Sequence, residues 1–411
     1  MKKYTHLALV VINLALGLGV QLWIIRLLGF GESTDVYVSA QVIYLILLGV
    51  LTSALHGAWF PKIVKNYKDV SHSLVQGVSV SIVFMMVLIG FGEDFVGYIF
   101  TGFSTLLLDE LIGLIIIFSI ALCFQSINVS LLMMLRANEK YIEIEKILFF
   151  TFPIYMVSIL VLTKLYGASG AAFSLLIKNM AQIYISKFYL SLPRINLYSS
   201  LSSTDGWRRM RPVIVGGVFY KSSPLVDRYW LSQSVSGSLT IVNLANTIIT
   251  SLMAIVEKVY INPIVTNLNK IDSNMVRKNY YRALFQYFLL SLLLIAFIFM
   301  IHPVFMWFFS LVLGISSKTS HDLWLYLLMY IGVFVGGGGG VISICVMNRF
   351  DDTKTSSILG SVMLPIGIII KSFGYYYYSI PGLVVGTSVY YLINLIILVY
   401  FVERRVNESL S

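Results

Sequence analysis

Charge is what this chain has least of. Of its 411 residues 12% are charged and only 19 are acidic, whereas soluble domains usually carry about 25% charged residues. With 58% hydrophobic residues, among them 26 Tyr and 26 Phe, there are too few polar side chains to cover a surface standing in water. A soluble globular protein is excluded, and a polytopic membrane protein is what remains. Cysteine is nearly absent: Cys123 and Cys345 both sit inside apolar runs, so neither a disulfide framework nor a zinc site can be built from them. No metal or cofactor is expected. Met1-Lys2-Lys3 leads into an apolar run reaching Leu28 without a small-residue cleavage site, which reads as a retained first span.

About 20 apolar residues are needed to cross a bilayer as a helix, and twelve such runs are present, near 7–28, 36–60, 73–92, 111–135, 147–166, 170–190, 212–231, 239–261, 283–309, 323–347, 356–376 and 383–402. The expected fold class is an all-α membrane protein of two six-helix lobes. Its domains are an N-terminal lobe 1–190, a cytoplasmic linker 191–211 and a C-terminal lobe 212–411. The linker is the longest polar stretch and contains Pro193, Gly206 and several serines. With the N-terminus inside, 21 of the 29 basic residues fall on the cytoplasmic side, so both termini are placed in the cytoplasm. Lys371 is counted among the outer residues. The net charge of +10 follows mainly from this asymmetry, and no nucleic-acid site is read from it.

A weak internal repeat supports the two lobes. A shift of 202 residues aligns Arg26 with Arg228, Gln41 with Asn243, His56 with Lys258 and Pro61 with Pro263, while Tyr166-x3-Gly170 recurs as Tyr378-x3-Gly382. Six spans per lobe make the repeats parallel, with a substrate site expected at their interface.

Several segments resemble a known superfamily. IIRLLGFGESTDVYVSAQ (24–41) and SALHGAWFP (53–61) are similar to the start of the multidrug/oligosaccharidyl-lipid/polysaccharide (MOP) exporters, in their flippase branches. VDRYW, SGSLTIVNLANT and INPIV resemble helices 7 and 8 of MurJ-type lipid II flippases, and YGASGAA and YSIPGLVVG resemble hairpins of Wzx-type O-antigen flippases. The arginine-aspartate pair on helix 1 of lipid II flippases falls here on Val20 and Gln21, their arginine pair on helix 2 on Leu48 and Gly49 and their helix 8 arginine on Thr247, and their two extra helices have no counterpart. The resemblance therefore implies a capsule, exopolysaccharide or O-antigen flippase in a bacterial cytoplasmic (inner) membrane. It further implies an undecaprenyl-pyrophosphate-linked oligosaccharide as cargo, with a polysaccharide polymerase and a chain-length regulator as partners, and no enzyme activity.

Candidate site residues are the polar ones at membrane depth. Lys178 and Lys221 each cost about 2.5 to 3.5 kcal/mol on insertion scales unless they face a cavity or a partner, and as point charges they suit a pyrophosphate. A buried acid or snorkelling is the alternative for each. Lys258 would meet the ligand at entry, and Gln41, Asn243 and Asn246 offer hydrogen bonds to sugar or between helices. Arg26 and Arg228, with Asp35 and Asp227 near them in sequence, fit either gating or headgroup anchoring. Glu257 belongs with the gating group. His56 and, less so, His302 could couple transport to protons. Gly336 to Gly340 form a bending point or a close-packing face, and Pro224, three residues after Lys221, is a kink tied to transport. Two rivals stand beside the flippase. A drug/cation antiporter of the same superfamily would need carboxylates at depth in the first lobe, and none is expected there. A membrane polymerase or glycosyltransferase would need a long outer loop, and the longest expected is 93–110.

Overall fold

The computed structural model describes residues 2–190, 200, 204–261, 264, 268, 273–350 and 353–410. These residues form helices and turns. In chain order the helices are α1 (Lys2–Leu28), α2 (Glu32–Lys65), α3 (Val70–Ile99), α4 (Thr105–Ala137), α5 (Tyr141–Ser186), α6 (Thr204–Lys221) and α7 (Ser223–Ser232). They continue as α8 (Ser238–Val256), α9 (Ser273–Met300), α10 (His302–Leu313), α11 (Ser317–Met329), α12 (Ile331–Arg349) and α13 (Thr353–Leu410).

Helix ends follow local chemistry. Ser104 caps α4 by accepting from the Leu107 amide, and Ser316 caps α11 by accepting from the Thr319 amide at 3.1 Å. α10 carries Pro303 in its first turn and stops at Gly314, whose φ is +67°. Nine helical segments among the described residues are long and apolar enough to span a bilayer. Their outward faces carry Met86, Ile89 and Phe91 on α3 and Phe285, Leu293 and Phe297 on α9. An apolar exterior over helices whose backbone bonds are satisfied internally is what a lipid environment selects.

Two of those segments are hairpins. α5 reverses at Gly167 (φ 57°, ψ −134°) and α13 at Ser379 (φ 54°, ψ −139°). Gly170 then lies against the Leu162 carbonyl, and Gly382 against that of Gly374, so each long helix supplies two antiparallel crossings. The repeated Tyr-x3-Gly motif marks both reversals. The turns are matched in backbone although one residue is Gly and the other Ser.

The chain divides into two compact units, Met1–Thr240 and Ile241–Ser411. In the first, α2 packs on α4 and α6, α4 packs on α3 and α5, and α1 packs on α5. Tyr37, Leu51, Trp59 and Phe118 are among the buried residues of its core. In the second, α12 packs along α13 and α9. The five-glycine run is one face of that packing. A Cβ on Gly336 would collide with Tyr391, one on Gly337 with Met253, one on Gly338 with Tyr287 and one on Gly339 with Leu395, while Gly340 has ordinary clearance. Helices brought this close need small residues.

Several details differ from the sequence expectations. α6 begins at Thr204, inside the expected linker, most of which lies outside the described residues. α3 and α4 run on to leave only 100–104 between them, so the outer loop 93–110 is mostly helix. The ninth span ends at Met300, because Pro303 starts a separate helix. Lys371, counted among the outer residues, is buried in the protein at 1% exposed, with its ammonium 5.7 Å from the Tyr390 ring centre.

Candidate functional site

α2 and α6 approach closely along their length. Gly217 lies over Val50 and Gly57 over Val213, and Gly206 fits against Trp59 and Gln76, where a Cβ would overlap both. Trp59 donates from Nε1 to the Gln76 side-chain oxygen at 3.1 Å, and the Gln76 amide donates to the Ser200 carbonyl at 3.2 Å. At the other end of this seam Lys221 closes α6. Its side chain is half-buried and its Cδ and Cε lie 3.5 Å from where a Cβ of Gly49 would stand. The helix breaks directly after it, at Ser222, and Pro224 occupies the first turn of α7. A cation at a helix C-terminus faces the unpaired carbonyls and the negative end of the helix dipole. Lys221 is thus placed at an interrupted helix, broken beside Pro224 as expected, although neither α6 nor α7 is among the segments long and apolar enough to span a bilayer.

Asp35 makes the second cluster. It is 4% exposed in the first turn of α2. Its Oδ2 accepts from the Gly237 amide at 2.7 Å, and its Oδ1 accepts from the Thr240 amide at 2.8 Å and the Thr240 hydroxyl at 2.6 Å. Asp35 therefore caps the start of α8 from another helix, satisfying amides that would otherwise be orphaned. The Arg228 guanidinium is close enough to interact with it electrostatically. Arg228 is buried while Arg26, its repeat counterpart, is exposed, so equivalence in sequence does not carry over into environment.

The remaining candidates are distributed over both units. In the first, Gln41 is buried and Asp227 is half-buried. His56 is held on both nitrogens: Nδ1 lies 2.9 Å from the Thr52 carbonyl and the Arg136 guanidinium lies 3.2 Å from Nε2. With Arg136 donating, the ring is neutral and donates from Nδ1. The Lys178 ammonium lies 5.0 Å from the Tyr155 ring centre and 5.6 Å from that of Phe152. In the second unit Asn243 and Asn246 are half-buried on α8, and Glu257 and Lys258 open a π-helical turn, Glu257–Ile261, with Lys258 exposed. Such turns are uncommon and are frequent at functional positions. His302 packs on Trp324 at 4.3 Å and is 6.1 Å from His321. No group of three metal-binding side chains occurs among the described residues.

Sequence reasoning missed Glu145. It is 5% exposed and accepts from the Asn13 amide, which also reaches the Glu145 carbonyl at 2.9 Å. The first unit thus buries two carboxylates, Asp35 and Glu145, each near the start of its helix. The signal was available: Glu145, Phe152 and Ile159 recur every seven residues on one face, and all three are buried.

Comparison with known proteins gives the fold. No protein-family model and no curated protein sequence matches the chain. Among solved structures it is similar to the lipid II flippase MurJ in an inward closed conformation, with a TM-score of 0.77 at 19% identity over 96% of this chain and 87% of that one. The chain has the fold of MOP-superfamily transporters. A multidrug resistance MATE family transporter of that superfamily, inward-facing, superposes with a TM-score of 0.71 at 12% identity over 98% of each chain. A MOP transporter from Pyrococcus furiosus, described as having a binding pocket of reversed polarity, gives 0.69 at 14% identity over 99% of this chain and 96% of that one. None of the three is an enzyme.

Proposed function

We propose that this chain is a flippase carrying a polyprenyl-pyrophosphate-linked oligosaccharide across the cytoplasmic membrane by alternating access. The observation that carries the reading is Lys221, a cation at a helix break on a fold shared with a lipid flippase. Lys221, with Arg26, Arg228, Lys258 and Lys178, supplies positive charge for a pyrophosphate, and Gln41, Asn243 and Asn246 supply hydrogen bonds for the glycan. The isoprenoid tail stays in lipid. Asp35 acts as a latch, because releasing α8 from α2 breaks three hydrogen bonds at one residue; Asp227, Glu257 and His56 belong to the same gating group. The lobes 1–190 and 212–411 rock about the linker, with both termini in the cytoplasm, and a polymerase and chain-length regulator receive the product.

Moving two negative charges outward through about 100 mV, inside negative, releases roughly 4.6 kcal/mol, at 2.3 per charge. The potential is one source of driving force for export, reduced if cavity lysines move with the charge, and proton or sodium antiport is the other. The test is complementation of a flippase-deleted polysaccharide strain from the same source, comparing the native chain with Lys221→Ala at matched membrane expression. Surface polymer restored by the native chain and at least about 10-fold reduced in the variant, equivalent to 1.4 kcal/mol, supports the reading. Equal restoration by both removes Lys221 from the site.

A second reading is a drug/cation antiporter. The buried Glu145 and Asp35 favour it, since carboxylates in the first unit are what a cation would need, as does the likeness to a MATE transporter. Drug efflux by the native chain without polymer export would establish it.

A further inference from the structure

Arg136 stands in the last turn of α4 and is not needed there as a cap. The Asn138 side chain donates to the Met134 carbonyl at 2.8 Å, the Lys140 amide to that of Leu135 at 2.9 Å and the Glu139 amide to that of Arg136 at 3.0 Å. The carbonyls that a terminal arginine would cover are therefore taken. No carboxylate lies within ion-pair distance of Arg136 among the described residues. Its guanidinium instead donates to Nε2 of His56 at 3.2 Å, and the Thr52 carbonyl, 2.9 Å from Nδ1, holds the ring in place. His56 is half-buried on α2, with the Phe60 ring centre 6.0 Å from its own, while Arg136 is exposed.

A neutral imidazole is a modest acceptor for a guanidinium, whose planar fork matches two phosphate oxygens. The pair also carries a built-in conflict. With its Nδ1 hydrogen committed to Thr52, His56 can take a proton only at Nε2, the atom that faces Arg136, and two cations then stand where one hydrogen bond stood. An anion between them answers both, accepting from the guanidinium and from the new Nε2–H. Binding and protonation therefore favour each other. Of the charged groups on the helices packed against α2, Arg136 is the one that acts on His56 among the described residues. Elsewhere His72 of α3 stacks on Trp59 at 5.4 Å, Lys178 of α5 lies over Tyr155, Glu145 of α5 meets Asn13 and Arg228 of α7 interacts with Asp35. Arg26 of α1 and Arg208, Arg209 and Arg211 of α6 are exposed.

We propose that Arg136 and His56 form a proton-linked entry site for the cargo pyrophosphate, near the ends of α2 and α4. The anion displaces the Arg136–His56 bond, Arg136 grips it through its fork, and His56 takes one proton from water at Nε2 and donates a hydrogen bond from there to a phosphate oxygen. The site rests on the flippase reading and adds to it a residue and a proton.

The full chain, purified in detergent, tests this by equilibrium binding of farnesyl pyrophosphate from about pH 5.5 to about pH 8. The native chain is expected to gain about 10-fold in affinity as pH falls, over and above the change seen in His56→Gln. That variant keeps an acceptor for Arg136 and cannot charge, so it matches the native chain at the alkaline end. Arg136→Gln weakens binding about 10-fold and Arg136→Lys about 3-fold, and exposed Lys65→Gln is unchanged. Calorimetry in two buffers of different ionisation heat reads the proton itself, with larger uptake on binding in the native chain than in His56→Gln. No binding by the native chain overturns the cargo reading, and this site with it. Native binding that is undiminished in Arg136→Gln, or that follows the same pH profile in His56→Gln, overturns the site alone. Competition by phosphatidylglycerol as strong as by unlabelled probe assigns the pair to a lipid headgroup and overturns its assignment to cargo. Where Arg136→Gln does not fold, the His56→Gln profile decides.

Discussion

The two hairpins are the same backbone written in different residues. At Gly167 and Ser379 the dihedrals agree within a few degrees, and in each the glycine three residues later lies against the carbonyl eight residues before it. Yet the first arm beyond its turn carries Lys178 beneath aromatic rings, while the second hairpin buries Lys371 before its turn. Arg26 and Arg228 diverge likewise. Geometry is repeated where the chain must reverse, and side chains diverge where chemistry differs, so the candidate site lies in the departures from the repeat.

The comparison can be broken most severely at the close approaches. Gly170→Val or Gly382→Val places side-chain atoms on a neighbouring backbone and is expected to cost more than about 4 kcal/mol; size-exclusion profiles should show no folded monodisperse protein in either. Equal failure would confirm that both turns obey one constraint, and a tolerated variant would break the equivalence. Next is Asp35→Ala, which strands two buried amides and should lower stability by about 3 kcal/mol, read as a drop in unfolding temperature. Asp35 has no repeat counterpart, since the shift places Gly237 there. Gly338→Ala forces Tyr287 off Phe334, whose carbonyl its hydroxyl reaches at 2.6 Å, at a cost of about 2 kcal/mol, whereas Gly340→Ala should be nearly neutral. The smallest effect tests the turn residue itself. A positive φ disfavours any side chain, so Ser379→Gly should stabilise by about 1 kcal/mol and Gly167→Ser should destabilise by about the same. Equal signs would mean that the two turns bear their strain differently.

Much of the fold was legible because apolar run length and helix crossing are the same physical quantity in a bilayer. The repeat at Tyr166 and Tyr378 located both reversals. What was illegible depends on who packs against whom. That Lys371 is buried could not be read from its place near the end of an apolar run; the helix continues for seven more residues before turning. Asp35 and Asp227 looked alike in sequence, but only the capping geometry of α8 gives Asp35 its three donors. Glu145 stands between the charged Glu143 and Lys146 just before an apolar run, and only the packing of α5 on α1 shows that it is buried. The break at Pro224 was visible in the sequence as well.

The glycine face of α12 also sets an order of assembly. Gly332, Gly336 and Gly339 receive Ser388, Tyr391 and Leu395 from the last arm of α13, which is synthesised some fifty residues later. Until that arm inserts, α12 carries a bare groove that lipid tails must fill. The second unit therefore cannot mature span by span as it leaves the ribosome; it waits, open along one seam, for its final helix to close it.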